Sequence, residues 1–293
     1  MQDASSWQFT TPQGFTLRGQ VLGSPGQAVV FFLHGNGFCG GVYEPLLQAL
    51  RPTFQVVTLD LQGHGASDDG GRFLGWNANA HLAAQAWQSI SAPFQGRPCH
   101  LLGHSFGGVL SGLILAQHPE AFQSAVLLDP VIFPPGMIAA MHVMEPLGLL
   151  KHHQLAKGAR NRRAHWPSRE EALSYLRGRG TFKGWDEAAL DAYVRHALKP
   201  HEDGSVHLRC HPSTESAVFG SFPRGLWGHL ARINHRVDIV HGDRTMPFVK
   251  PSALRWARQS PQVAVHEVRG GHCFMQERPA ETAALVGRLL QPA

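Results

Sequence analysis

Gly103-His104-Ser105-Phe106-Gly107 has the residue types and spacing of a nucleophilic serine on a sharp turn. Cys99-His100-Leu101-Leu102 before it reads as a short apolar strand, and Gly108 to Ala116 after it suits a buried helix. A serine at such a junction is lifted above a sheet edge. Flanking glycines relieve clashes there, and the N–H groups of the helix N-terminus favour developing negative charge. The chemistry this permits is attack of a serine oxygen on an acyl carbon. Alone, the pattern also fits a Gly-rich turn that happens to hold a serine, so its neighbours decide.

Two upstream segments supply such neighbours. Ala28-Val29-Val30-Phe31-Phe32-Leu33 is a continuous apolar, β-rich run, the pattern of a strand buried on both faces. It ends in His34-Gly35-Asn36-Gly37-Phe38-Cys39-Gly40-Gly41. A tight glycine-rich loop can turn backbone N–H groups toward an anion, so the amides of Asn36 and Phe106 are the expected oxyanion donors. His34, Gly35, Gly37, Phe38 and His104 are candidates for substrate binding. A plain strand-to-helix turn explains this loop equally well by itself. Phe54 to Asp60 reads as another strand, running into Leu61-Gln62-Gly63-His64-Gly65-Ala66-Ser67-Asp68.

Strand-HGNG, strand-DLQGHGAS and strand-GHSFGG, in this order and spacing, resemble the α/β-hydrolase superfamily. The nearest branch holds epoxide hydrolases, haloalkane dehalogenases and small serine esterases. The resemblance covers nearly the whole chain and is specific for fold but weakly so for substrate. It implies an α/β fold with a mostly parallel central sheet flanked by helices, and a helical cap inserted after the sixth strand. It also implies a catalytic base after the last strand. Val263 to Val268 alternates like that strand and is followed by Arg269-Gly270-Gly271-His272, so His272 is the expected base. With 19 histidines in the chain, position and not residue type singles it out. His34, His64 and His104 each belong to a motif turn, where a structural role is the plainer reading.

The acid is where the sequence departs from the common pattern. Most relatives carry it after the seventh strand as Gly-x-x-Asp. Here Val237-Asp238-Ile239-Val240-His241-Gly242 is followed by Asp243-Arg244-Thr245-Met246-Pro247, and the usual position falls on Thr245. Asp243 lies two residues early and would serve if the loop is shortened, as the likeness of this run to haloperoxidase-like members suggests. Asp129, at the end of the sixth strand in Leu127-Leu128-Asp129-Pro130, is the other candidate. One group of dehalogenases and certain lipases place their acid there. Asp129 is preferred over Asp243, with Thr245 lining the vacated position.

Ser105 itself narrows the chemistry. Epoxide hydrolases and haloalkane dehalogenases use an aspartate at this turn, so those reactions are disfavoured. The expected reaction is hydrolysis of a carboxylic ester through an acyl-enzyme, on a small-molecule acyl substrate and without a cofactor, with thioesters and lactones next. A carbon–carbon bond hydrolase or a cofactor-free perhydrolase would use the same three residues. A non-catalytic ligand-binding protein of the same fold is the alternative from another class.

The rest of the chain fits one large domain with an insertion, or two small domains, at 293 residues. Residues 7–22 read as an opening hairpin, after which strand and helix signals alternate up to Asp129, as a parallel sheet covered on both faces requires. Pro134-Pro135-Gly136 then breaks the pattern, and a helix-rich stretch runs to about Leu230. The expected division is a core of residues 1–132 and 231–293 with a cap of 133–230, in which Met137, Met141 and Met144 face the pocket or the cap core. No run approaches the ~18–20 apolar residues of a membrane span. Met1 to Trp7 lacks the basic and apolar regions of a secretory leader, so the expectation is a cytoplasmic protein.

The formal net charge of +5 is modest. Its densest part is Lys157 to Arg163, with Arg169, Arg177 and Arg179 beyond. No aromatic platform or reader motif accompanies it, so it reads as a solvated basic face rather than a nucleic-acid site, an anionic substrate group being the alternative. The four cysteines show no C-x-x-C spacing and are expected as reduced thiols, a Cys39–Cys273 bridge being the alternative. His207, Cys210 and His211 lack a second ligand pair, so no metal site is expected.

Overall fold

Runs of β-branched and aromatic residues pack well on a pleated surface, and the apolar runs seen in the sequence form the strands. The computed structural model describes residues 4–291. Met1 to Asp3, part of the segment read above as lacking a leader, lie outside that range. An opening hairpin of β1 (Ser5–Thr10) and β2 (Thr16–Leu22) is followed by β3 (Ala28–Leu33), β4 (Phe54–Asp60), β5 (Cys99–His104) and β6 (Ser124–Leu128). After a long insertion come β10 (Arg236–Gly242) and β11 (Val263–Val268), the insertion itself holding β7 (His165–Trp166), β8 (Leu198–Pro200) and β9 (Val206–Leu208). The main sheet has the order β1-β2-β4-β3-β5-β6-β10-β11. β2 runs antiparallel to both its neighbours, and all pairs from β4 onward are parallel.

Both faces of the central strands β3, β4, β5 and β6 are covered, which is why these read as largely apolar runs. Along β3, Val29, Phe31 and Leu33 point into one core, while Val30 and Phe32 point into the other. The first core is closed by helices Trp76–Ile90, Phe106–Gln117 and Val249–Gln259, the second by Glu44–Leu50 and Pro279–Leu290. The loops following β3, β5, β6, β10 and β11 all leave the same edge of the parallel sheet, where open α/β sheets gather their ligand-binding residues.

The insertion between β6 and β10 carries helices, as expected, and also a three-stranded sheet in the order β7-β9-β8. Its strands are two and three residues long, too short to leave an alternating pattern. Its apolar side chains, among them Trp166, Phe182, Trp185 and Tyr193, are continuous with the second core. Its last helix, Leu226–Leu230, instead buries Leu226 and Leu230 in the first core, so the body of the protein resumes before residue 231. The three methionines of helix Pro135–Met144 are only half-buried, and no side chain of that helix is buried.

Candidate active site

Among the described residues only Ser105, at φ 55°, and Asp129, at φ 45°, combine a side chain with left-handed backbone. Such conformations cost on the order of 1–3 kcal/mol each and persist where surrounding structure imposes them. Here the sheet does so. The Ser105 amide donates to the Leu128 carbonyl at 2.9 Å, and the Asp129 amide donates to the Val240 carbonyl at 2.7 Å. Gly107 is forced by crowding at the same turn, since a Cβ there would lie 2.2 Å from the Leu33 carbonyl oxygen. The turn ends as helix Phe106–Gln117 begins, leaving the Phe106 amide at a position with no acceptor inside the helix.

His272 reaches this turn from the loop after β11. Its Nε2 lies 2.9 Å from Ser105 Oγ and its Nδ1 lies 2.5 Å from Asp129 Oδ2. Asp129 is fully buried, and three groups satisfy its carboxylate. Oδ1 accepts from the Gly242 amide at 2.9 Å, and Oδ2 accepts from the Thr245 hydroxyl as well as facing His272. Asp243, the alternative acid, does not touch His272. Its side chain is 44 % exposed and accepts from the Gly270 amide at 2.8 Å, bracing the turn that carries His272. Thr245 stands at the vacated position and turns its hydroxyl onto Asp129.

The loop after β3 is held from below by histidines. His34 accepts from the Leu61 amide at 2.9 Å through Nε2 and faces the Gly35 carbonyl at 2.8 Å through Nδ1. His64 accepts from the Gly37 amide at 3.1 Å. The Gly35 amide donates to Tyr43 Oη at 3.0 Å, Tyr43 lies 2.6 Å from His104 Nδ1, and His104 Nε2 lies 3.0 Å from the His272 carbonyl. His34 and His104 are the two histidines for which substrate binding and a structural role both stand open from the sequence. Both are buried with both ring nitrogens engaged by the protein, so they tie the loops together instead. Phe38 likewise packs into the aromatic core of Trp185 and Tyr193. Burial holds these imidazoles neutral. It pushes His34 down to about 4 and His64 to about 3, the His34 ring adding to the shift of His64.

Residues 30–285 match the sequence model of the α/β hydrolase family. The chain belongs to that family. A zebrafish (Danio rerio) protein named serine hydrolase-like protein is 29% identical over 300 residues, covering 99% of this chain and 89% of its own. Human (Homo sapiens) monoglyceride lipase is 34% identical over 113 residues, 38% of this chain and 37% of its own. The crystal structure of E-2-(acetamidomethylene)succinate hydrolase superposes with a TM-score of 0.77 over 98% of this chain and 99% of that one, at 21% identity.

In this α/β hydrolase the inserted segment reaches down onto the loop after β3, a contact that the sequence did not reveal. The Asn36 side-chain amide donates to the Glu215 carbonyl at 3.0 Å. The Glu215 carboxylate fills the space above Gly37, where a Cβ would lie 2.9 Å from its carboxyl carbon, so only glycine fits. Glu215 pairs with Arg162 at 2.7 Å, and Arg162 also donates to Tyr193 Oη at 3.1 Å. The side chains of Arg162 and Glu215 are only 21% and 10% exposed.

Most of the basic stretch is exposed, as the sequence suggests, and only Arg162 and Arg169 are drawn partly inside. Besides Arg162, Arg163 lies over the rings of Trp166 and Tyr175, Arg179 lies over Tyr175, and Arg177 pairs with Glu187. The three residues weighed as metal ligands go separate ways. His207 lies against His165 and His201, Cys210 is buried, and His211 caps helix Pro212–Phe219. All four cysteines are free and buried, Cys39 and Cys273 included.

Two outcomes follow for this site. The unfolded chain protonates its histidines near 6.5, whereas folded His34 and His64 resist down to about 4 and about 3. Their contribution is complete above 6.5 and is lost as pH falls from there toward about 4. By about pH 5 the two should cost on the order of 4 kcal/mol. Urea midpoints measured against pH should fall accordingly, and a flat profile would exclude neutral buried imidazoles. Glu215→Ala strands the Arg162 charge and should cost about 3–5 kcal/mol in the same assay. Removing both partners should cost less than the sum of the single changes, and simple additivity would mean that the pair is not coupled.

Proposed function

We propose that this α/β hydrolase cleaves a carboxylic ester, with Ser105 as nucleophile, His272 as general base and acid, and Asp129 as the orienting carboxylate. The observation that carries the reading is the continuous chain from Ser105 Oγ through His272 to the buried Asp129 at 2.9 and 2.5 Å. Ser105 Oγ attacks the acyl carbon while its proton passes to His272 Nε2. The carbonyl oxygen becomes an oxyanion, stabilised by the amides of Phe106 and Asn36. The imidazolium then gives its proton to the leaving alkoxide, and an alcohol departs. A water molecule repeats the sequence on the acyl-enzyme, releasing a carboxylic acid and free Ser105.

Asp129 accepts the His272 Nδ1–H bond, fixes the tautomer and stabilises the imidazolium. The inserted segment acts as a cap over the site, and Glu215 together with its Arg162 partner keeps the Asn36–Gly37 turn in place. Kinship to proteins named serine hydrolase-like and monoglyceride lipase supports an ester over other acyl compounds.

Ser105→Ala should abolish labelling by a fluorophosphonate probe and lower ester turnover on the order of 10³-fold or more, with the urea midpoint retained. A probe adduct mapped by mass spectrometry to any other residue would refute the assignment. A graded series of p-nitrophenyl acyl esters then sets the chain length. Asp129→Asn should lower kcat on the order of 10⁴-fold. Asp243→Asn should leave most of the activity, and the reverse ranking would transfer the acid role to Asp243.

A further inference from the structure

One surface of the inserted segment breaks the usual rule for soluble helices. Helix Pro135–Met144 is apolar along almost its whole length, yet none of its ten residues is buried. An apolar helix normally earns its stability by covering a core. Here Met137, Ile138, Met141 and Met144 are half-buried on the inner side, and the outer side is left bare. Among the described residues five large hydrophobic side chains are exposed, and four of them fall between positions 143 and 155. They are Val143 at 66%, Leu147 at 67%, Leu149 at 44% and Leu155 at 49%. Clustered exposed apolar surface marks a docking site more often than chance exposure does.

The charge around this cluster identifies what it meets. Between residues 146 and 169 the chain holds six Lys and Arg and no Asp or Glu. Arg162 is taken up by Glu215 and Arg163 by aromatic rings, but Lys151 and Lys157 are exposed and make no ion pair among the described residues. Glu145, at the edge, is neutralised by Arg224. A second copy of the chain is a poor occupant, because a two-fold contact would set this cationic patch against itself. Apolar side chains flanked by lysines suit an interface that is apolar within and anionic at its surface.

We propose that residues 143–157 dock this protein on the surface of an anionic lipid bilayer, with Val143, Leu147, Leu149 and Leu155 entering the acyl boundary and Lys151 and Lys157 meeting the headgroups. Helix Pro135–Met144 starts shortly after Asp129-Pro130, and Phe133 at its base packs on Trp76 and Phe248. The surface contact itself requires no chemistry at Ser105.

The test is flotation of the full chain with vesicles of phosphatidylcholine alone or doped with phosphatidylserine. The protein should float with the doped vesicles at low salt and be released at high salt. Val143→Ser with Leu147→Ser should weaken this binding at least about tenfold. Lys151→Glu with Lys157→Glu should erase the preference for phosphatidylserine. Urea midpoints close to that of the parent protein show that the variants fold. Failure to float at low salt, or equal flotation of the serine variant, overturns the proposal. So does a concentration-dependent dimer in sedimentation that the serine variant loses. Flotation reads the surface and fluorophosphonate labelling reads Ser105, so either reading can fail alone.

Discussion

The buried carboxylate of Asp129 is the constraint on which the rest of the site depends. A carboxylate removed from water needs strong compensation, and Asp129 has no exposed surface. Its donors come from two segments that are remote in sequence: Gly242 and Thr245 at the end of β10, and His272 after β11. They meet because β10 pairs with β6 in parallel, Val240 opposite Leu128, although about a hundred residues separate the strands. The left-handed turn at Asp129 then drops the side chain into the cleft between the strand ends. Sheet order, backbone strain and charge satisfaction are therefore one requirement. Loss of the β6–β10 pairing would leave a bare buried charge, not merely a misplaced side chain.

A second layer of the same logic lies beneath the loop after β3. Buried donors and acceptors must be paired, and here neutral imidazoles perform that task. His104 links Tyr43 to the His272 carbonyl, and Tyr43 receives the Gly35 amide. The loop that carries Asn36 and the loop that carries His272 are thus tied through one tyrosine and one histidine. Burial keeps His104 well below its ordinary value, which preserves the acceptor nitrogen that Tyr43 requires. A charged ring there would donate from both nitrogens and leave the tyrosine hydroxyl facing a donor.

These networks explain what the sequence could and could not reveal. Strands buried on both faces leave apolar runs, so β3 to β6 and β10 were legible, while the edge strand β11 showed itself by alternation. Spacing alone does not say which of Asp129 and Asp243 meets His272, since both end strands and only the adjacency of β6 and β10 separates them. His34 and His104 stand beside the site in sequence, and nothing local shows that both nitrogens of each ring are already engaged. Glu215 and Arg162 left no signal at all, because their partners lie 53 positions apart and across an irregular segment. The small sheet of the insertion was invisible for a different reason, its strands being shorter than one period of alternation can betray.

The insertion has to meet two opposite demands, and its composition divides accordingly. Its inner parts are drawn into the second core by Trp166, Trp185 and Tyr193, and they end in the buried Arg162–Glu215 pair against the loop after β3. Such a pair contributes little net stability compared with apolar packing. It ties the insertion to one place on that loop, since Glu215 lies over Gly37 while also meeting Arg162 and Asn36. The stretch from Pro135 to Leu155 has no comparable anchor, rests on half-buried methionines and exposes leucines. The segment is thus fixed where it touches the loop after β3 and bare where it faces outward.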